Sequence, residues 1–209
     1  MINVVLADDH TIVRHGLGQI LGAEPDIAVV GEAQNGDEVL DIVRNNDVNV
    51  VVLDITMPGK NGLETLKELR RVSPKIAVLV LSMHPKDQYA VRVLKAGAAG
   101  YISKEGAPDE LVAAIRKANL GEKYIGPEVA ELLANYIEHG IADEPHKMLS
   151  DREYEVLRHI ATGKGITQIS EIMDLSVKTI STYRSRIVSK TGLNSNAEMT
   201  RYAIEHSLI

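Results

Sequence analysis

The chain of 209 residues has no cysteine, no phenylalanine and no tryptophan, and its aromatic content of 3% is seven tyrosines. Without cysteine there is neither a disulfide framework nor a thiolate metal site, and the composition suits a reducing cytoplasm. With so few aromatics, any core must be built from Val, Leu, Ile, Ala and Met. No apolar run approaches the roughly 18 residues that a membrane-spanning helix needs. The opening "MINVVLADDH" also lacks the basic stretch of a secretory signal, so no membrane association is expected. What remains is an ordinary water-soluble balance, 44% hydrophobic and 25% charged, in a length comfortable for two modest domains.

The net charge of −6 is unevenly spread. From Lys147 onward there are nine Lys or Arg against seven acids, whereas the preceding part carries 14 against 22. Leu175 to Ala197 holds Lys178, Arg184, Arg186 and Lys190 and no acid. An acidic N-terminal part joined to a locally basic C-terminal part points to two jobs, with any polyanionic partner at the C-terminal end.

Over the first 120 residues, short apolar runs alternate with helical patterns. "NVVLA" (3–7), "IAVVG" (27–31), "VNVVVLD" (48–54), "IAVLVLS" (76–82) and "GYIS" (100–103) read as strands. The middle runs are almost continuously apolar, as in a parallel sheet covered on both faces. Helical stretches near 12–23, 36–46, 62–72, 87–96 and 108–119 lie between and after them, which predicts a five-stranded parallel, doubly wound α/β domain. Beyond residue 121 the pattern breaks. "GPEVAELLANYIEHG" reads as a helix with Val129, Leu132, Leu133, Tyr136 and Ile137 on one face, and "IADEPHK" as a flexible joint. From Leu149 on, four helices are expected, the first opened by a capping box of Ser150 and Glu153.

In such a sheet, active groups gather past the carboxyl ends of the strands. The first strand ends in Asp8 and Asp9, the third in Asp54, the fourth in Ser82, and Lys104 follows the fifth. Right-handed crossovers tend to set the first and third strands side by side, which would crowd three carboxylates together. Their repulsion calls for a cation, and hard oxygen donors suit Mg²⁺. A carboxylate presented at a strand end can attack a phosphoryl group to give an acyl phosphate, a transfer that needs positioning and charge neutralisation. Asp9 and Asp54 would hold the Mg²⁺ directly and Asp8 through water, Lys104 would add a point charge, and Ser82 would bond a phosphoryl oxygen. Each residue also has a plainer reading: Asp9 as a helix cap, Asp54 as a turn residue, Lys104 as a solvated charge and Ser82 as a turn hydroxyl.

"ADDH", "LDITMPGKNG", "LS" and "KAGAAGYISKE" together resemble bacterial response-regulator receiver domains over residues 1–121. The resemblance implies that Asp54 is the phosphoacceptor, with Asp8, Asp9 and Lys104 around it. It also implies that the backbone carbonyl of Thr56 is a further Mg²⁺ ligand, and that Ser82 and Tyr101 reorient on phosphorylation. Tyr101 reads equally as a half-buried edge-strand aromatic. Haloacid-dehalogenase phosphatases would want a second aspartate where Thr56 stands.

In the C-terminal part, "ITQISEIM", "DLS" and "VKTISTYRSRIVSK" read as a helix-turn-helix. Val177, Ile180, Ile187 and Val188 form an apolar stripe, with Lys178, Thr179, Thr182, Ser185, Arg186 and Ser189 opposite and Ser181 at the margin. Hydroxyls and cations without acids suit a surface that approaches phosphates and base edges, although a solvated bundle face would look similar. "LSDREYEVLRHIATG" and "ITQISEIMDLSVKTISTYRSRIVSKTGL" together resemble the LuxR-type DNA-binding domain over residues 147–209. With the receiver, this is the architecture of the NarL/FixJ class. Departures stand at Ser170, Ser181 and Arg184, Ser181 replacing the lysine common in the family.

The reading is thus a receiver at 1–121, a linker helix and joint at 122–146, and a helix-turn-helix domain at 147–209. Expected partners are a histidine kinase, double-stranded DNA with two half-sites, and a second copy in a homodimer. The DNA contacts expected are Lys178, Thr179, Ser181, Thr182, Ser185, Arg186 and Lys190. Met199, Tyr202, Ala203 and Ile204 in the last helix read either as a dimer surface or as core. Two rivals stay open: a regulator whose receiver only scaffolds, and a Mg²⁺-dependent α/β phosphatase.

Overall fold

The computed structural model describes residues 1–82, 86–139 and 145–209. It divides into two compact units, Met1–Ile137 and Glu138–Ile209. In the first, the strands are β1 (Ile2–Ala7), β2 (Ile27–Ala33), β3 (Val50–Asp54), β4 (Ala77–Ser82) and β5 (Gly100–Ser103). They pair in parallel in the order β2-β1-β3-β4-β5. The helices of this part are α1 (Thr11–Gly22), α2 (Gly36–Asn45), α3 (Gly62–Val72), α4 (Lys86–Lys95), α5 (Ala107–Asn119) and α6 (Pro127–His139).

The continuous apolar runs become strands because both faces of the sheet are covered. Every residue of β3 is buried. Val50 and Val52 face a core built with Leu17 and Leu21 of α1 and Leu111, Ala114 and Ile115 of α5. The alternate residues Val51 and Leu53, equally buried, point to the other face by the two-residue period of a strand. Asn35 and Asn61 start α2 and α3, each accepting from the backbone N–H three residues on.

Past α5 the chain turns back onto the sheet edge. The N–H of Tyr124 donates to the carbonyl of Ala99 at 2.8 Å, and Tyr124 forms a parallel bridge with Gly100. Lys123 Nζ donates to the Ala98 carbonyl at 2.5 Å, and the Tyr124 hydroxyl donates to Glu110 Oε2 at 3.1 Å. Gly100 permits this approach, since a Cβ there would sit 2.6 Å from the Tyr124 carbonyl oxygen. In α6, Val129 is buried and Leu132 and Leu133 are half-buried. The side chains of Tyr136 and Ile137, residue 140, and residues 141–144 of the expected joint lie outside what the structure describes.

The second unit holds a 3₁₀ turn (Pro145–Met148) and α7 (Asp151–Ala161), α8 (Ile166–Met173), α9 (Val177–Thr191) and α10 (Asn196–Glu205). The capping box of Ser150 and Glu153 starts α7. Asp174, at φ 50°, turns the chain out of α8, and Ser176 caps α9 by accepting from the Thr179 N–H. Tyr154, Leu157, Ile160, Ile169, Ile180, Ile187, Met199 and Ala203 fill the core. Met199 and Ala203 are therefore core residues, whereas Ile204 of the same helix is 62% exposed. Among the described residues, no helix is long and apolar enough to cross a membrane.

Candidate phosphoacceptor site and nucleic-acid interface

Because β1 and β3 are neighbours in register, Ala7 opposite Leu53, the residues that follow them meet at one sheet edge. Lys104 reaches the same place from the far side of β4, its backbone N–H donating to the Ser82 carbonyl at 3.0 Å. Its ammonium lies 2.5 Å from Asp8 Oδ2 and 2.7 Å from Asp54 Oδ2. The Thr56 N–H donates to the other oxygen of Asp54 at 3.3 Å. The β3–α3 loop folds tightly over this end, for a Cβ on Gly62 would fall 1.9 Å from the Asp54 carbonyl oxygen.

Asp54, at the strand end as expected, is only 3% exposed and is held under Lys104. Burial pushes its carboxyl up to about 6 against the opposing pull of Lys104. The same burial pulls Lys104 down, but the attraction of Asp54 and Asp8 outweighs it and leaves the ammonium above the usual lysine range.

Around Asp8 the polar groups form a shell. The His10 N–H donates to Asp8 Oδ1 at 2.8 Å, and His10 Nδ1 lies 2.7 Å from Asp9 Oδ1 and 3.2 Å from Asp8 Oδ1. Arg14 is buried and donates through a terminal nitrogen to the Asp8 carbonyl at 2.5 Å, with Glu32 beside it at 3.3 Å. Asp9 is not a helix cap: His10 holds that position in α1 and no side chain caps it. One ligand atom from each of Asp8, Asp9, His10 and Asp54 falls within 4.8 Å of the others. Asp8 Oδ2 and Asp9 Oδ1 are buried and have no partner beyond the close approach of the Lys104 ammonium and the His10 ring, respectively, among the described residues. Three carboxylates converging at one sheet edge, two of them with an oxygen that accepts no other hydrogen bond, are the donor set that a hard divalent cation fits. His10 and Arg14 were not singled out from the sequence. His10 stands in the open in "ADDH", whereas nothing local marks Arg14 as buried.

Ser82 and Tyr101 are both fully buried, Ser82 paired with Ser103 and Tyr101 with Val80. Tyr101 is therefore an interior residue and not the half-buried edge aromatic that the sequence also allowed.

In the second unit, α9 exposes Lys178, Ser181, Thr182, Ser185, Arg186 and Ser189, with Thr179 half-buried. Ile180 and Ile187 are buried on the opposite side. The expected apolar stripe is shorter than predicted: Val188 is half-buried, and Val177, the first residue of α9, is 47% exposed. The expected cations divide. Lys190 Nζ lies 2.6 Å from the buried Glu153, and Arg184 donates to Asn196 Oδ1 at 3.1 and 3.2 Å. Lys178 and Arg186 have no partner among the described residues.

Comparison with known proteins agrees with both regions. Residues 4–116 match the response regulator receiver domain, and residues 147–203 match the LuxR family of bacterial regulatory proteins. The response regulator UvrY of Escherichia coli is 40% identical over 209 residues, all of this chain and 96% of that protein. The response regulator GacA of Pseudomonas aeruginosa is 37% identical over 210 residues, all of this chain and 98% of its own length. Among solved structures, the RcsB response regulator of Salmonella typhimurium aligns with a TM-score of 0.72 at 29% identity, covering 98% of this chain and 97% of that one. A second RcsB structure, bound to promoter rprA in the presence of phosphomimetic BeF₃⁻, aligns at 0.68 and 30% identity over 96% and 97%.

Proposed function

We propose, for a chain that belongs to the response regulators joining a receiver domain to a LuxR-family domain, that Asp54 is its phosphoacceptor and that phosphorylation controls DNA binding by α9. The observation that carries this is the single ammonium of Lys104 held between Asp8 and Asp54 in a buried acidic pocket at the carboxyl end of the sheet.

An Asp54 oxygen attacks the phosphorus of the donor, the phosphohistidine of a kinase or a small acyl phosphate. The new O–P bond forms as the bond to the leaving group breaks, giving an aspartyl phosphate. Lys104 must loosen its hold on Asp54 Oδ2 for that attack, and its ammonium then pairs with the oxygens of the incoming phosphoryl group. Oxygens of Asp9, Asp54 and the Thr56 carbonyl, with Asp8 through water, would hold a Mg²⁺ that offsets charge on the phosphoryl oxygens. Ser82 donates to a phosphoryl oxygen, and Tyr101 responds to its movement. The chain catalyses no turnover beyond its own phosphorylation and hydrolysis.

The product is a charge change at one strand end that biases a two-state domain. The protein then acts in the cytoplasm as a homodimer on DNA with two half-sites. Lys178, Thr179, Ser181, Thr182, Ser185 and Arg186 form the contact face, from which the pairing with Glu153 removes Lys190. Of Met199, Tyr202, Ala203 and Ile204 in α10, exposed Ile204 and half-buried Tyr202 are left for the dimer surface.

Incubation with Mg²⁺ and acetyl phosphate, followed by intact mass, tests the chemistry. One added phosphoryl group is expected in the wild type and none in Asp54→Asn. Continuous phosphate release without an adduct would mean a phosphatase. No adduct together with unaltered DNA binding would mean a scaffolding receiver.

A further inference from the structure

The exposed face of α9 carries hydroxyls, and they are already in use. Ser181 Oγ donates to the Val177 carbonyl at 2.9 Å, Thr182 Oγ1 to the Lys178 carbonyl at 2.9 Å, and Ser185 Oγ to the Ser181 carbonyl at 3.1 Å. A hydroxyl has one hydrogen and two lone pairs. With the hydrogen committed to the helix backbone, each of these three groups faces outward as an acceptor. Turning it to donate would break a bond already made.

In the major groove only adenine N6 and cytosine N4 donate, whereas guanine offers acceptors at N7 and O6. The face is also rich in methyl groups, from exposed Thr182, from half-buried Thr179 and from Val177 at its rim. The thymine C5 methyl is their natural neighbour. A donor amine and a methyl occur in the same pair only in A·T.

The cations do not alter this chemistry. Among the described residues of the second unit, Arg152 pairs with Glu155, Arg158 with the Leu208 carbonyl, Lys190 with Glu153, Arg201 with Glu205, and Arg184 with Asn196. Lys164 lies 3.1 Å from the His159 ring, which burial and that ammonium hold down to about 4 and hence neutral. On α9, Lys178 and Arg186 are the cations without a hydrogen-bond or ion-pair partner among the described residues. Eight residues apart, they stand about 12 Å from one another along the axis, one toward each end of the hydroxyl face. From there each can reach a phosphate, while the hydroxyls lie over the bases between.

We infer that α9 reads A·T pairs through hydroxyl acceptors and methyl contacts, with Lys178 and Arg186 on phosphates, and not through a lysine or arginine fork on guanine. This rests on the reading of α9 as the DNA-contacting helix.

The test uses the full chain, treated with Mg²⁺ and acetyl phosphate, on a randomised pool of double-stranded DNA. Sequences it retains are then made with uracil for thymine, which removes the methyl, or with purine for adenine, which removes the N6 amine. Each replacement under α9 is expected to weaken binding about three- to tenfold, while 7-deazaguanine for guanine changes little. Lys178→Ala and Arg186→Ala are each expected to make the slope of log affinity against log salt shallower by about one per bound domain, without changing the selected bases. Ser181→Lys should steepen that slope by about one and move the selected base toward guanine. A guanine-centred preference sensitive to 7-deazaguanine, with no effect of uracil or purine, would overturn the inference while leaving DNA binding intact. Retention of no DNA by a protein that does carry the phosphoryl group would instead overturn the DNA-binding reading, and the inference with it.

Discussion

Lys104 and Lys178 carry the same ammonium in opposite surroundings. The Lys104 side chain is 7% exposed and lies between two carboxylates, whereas Lys178 stands in solvent on α9 with no described partner. At its sheet edge the receiver unit buries one ammonium between two carboxylates, an arrangement that the proposed phosphoryl group on Asp54 would upset. The helical unit leaves Lys178 and Arg186 in solvent without a partner among the described residues, which suits capture of a polyanion. A buried pair is costly to break from one side, and an exposed cation is cheap to remove, so substitutions at the two sites should differ in kind as well as in size.

The largest effect is expected from Lys104→Met. Two buried carboxylates then lose their cation, and in metal-free buffer at pH 7 urea unfolding should show a loss of about 3 kcal/mol or more. A loss below about 1 kcal/mol would place the pair in solvent and remove the contrast with Lys178.

Asp54→Asn should move stability the other way. Asp54 sits at about 6 in the folded chain against 3.8 ordinarily, so the folded state binds that proton more tightly. Its contribution to stability is full below 3.8 and is lost as pH rises through about 6. The asparagine variant should therefore be more stable by roughly 2–3 kcal/mol at pH 7, with the gain fading as pH falls toward 3.8. Parallel stability curves for the two proteins across that range would refute this.

Gly100→Ala sharpens the comparison at the point where the receiver sheet meets the following segment. The added methyl meets the Tyr124 carbonyl, so a loss of about 1–2 kcal/mol is expected, with faster hydrogen exchange at the Tyr124 amide. Unchanged exchange there would mean that the edge yields without releasing the segment.

The smallest effects belong to the DNA side. Arg186→Ala should weaken DNA binding evenly across sequences and reduce the salt slope by about one. Lys190→Ala should leave that slope unchanged, while reducing stability by about 1 kcal/mol because Glu153 stays buried without its cation. Equal salt slopes for these two variants would erase the distinction between paired and unpaired cations in α9.

The sheet was legible because five apolar runs with turn signals between them have few other uses, and Asp54 was legible because four other polar residues fell on strand ends of the same edge. What the sequence could not carry was depth and distant pairing. The burial of Asp54 and Tyr101 depends on how helices close over the sheet. The partner of Lys190 lies 37 residues away in α7. Val177 keeps the period of its helix but lies in the first turn, which is largely exposed. Arg14 shows the same limit from the other side, since only the packed α1 reveals a guanidinium held against the Asp8 carbonyl.

The most direct measurement is the affinity for a DNA selected from a random pool, taken before and after treatment with Mg²⁺ and acetyl phosphate, for the wild type and for Asp54→Asn side by side. Tighter binding by at least about fivefold after treatment in the wild type, and no change in the variant, is the result expected. Equal affinities in all four conditions, or the same gain in the Asp54→Asn protein, would contradict the assignment of Asp54 as the switch that controls α9.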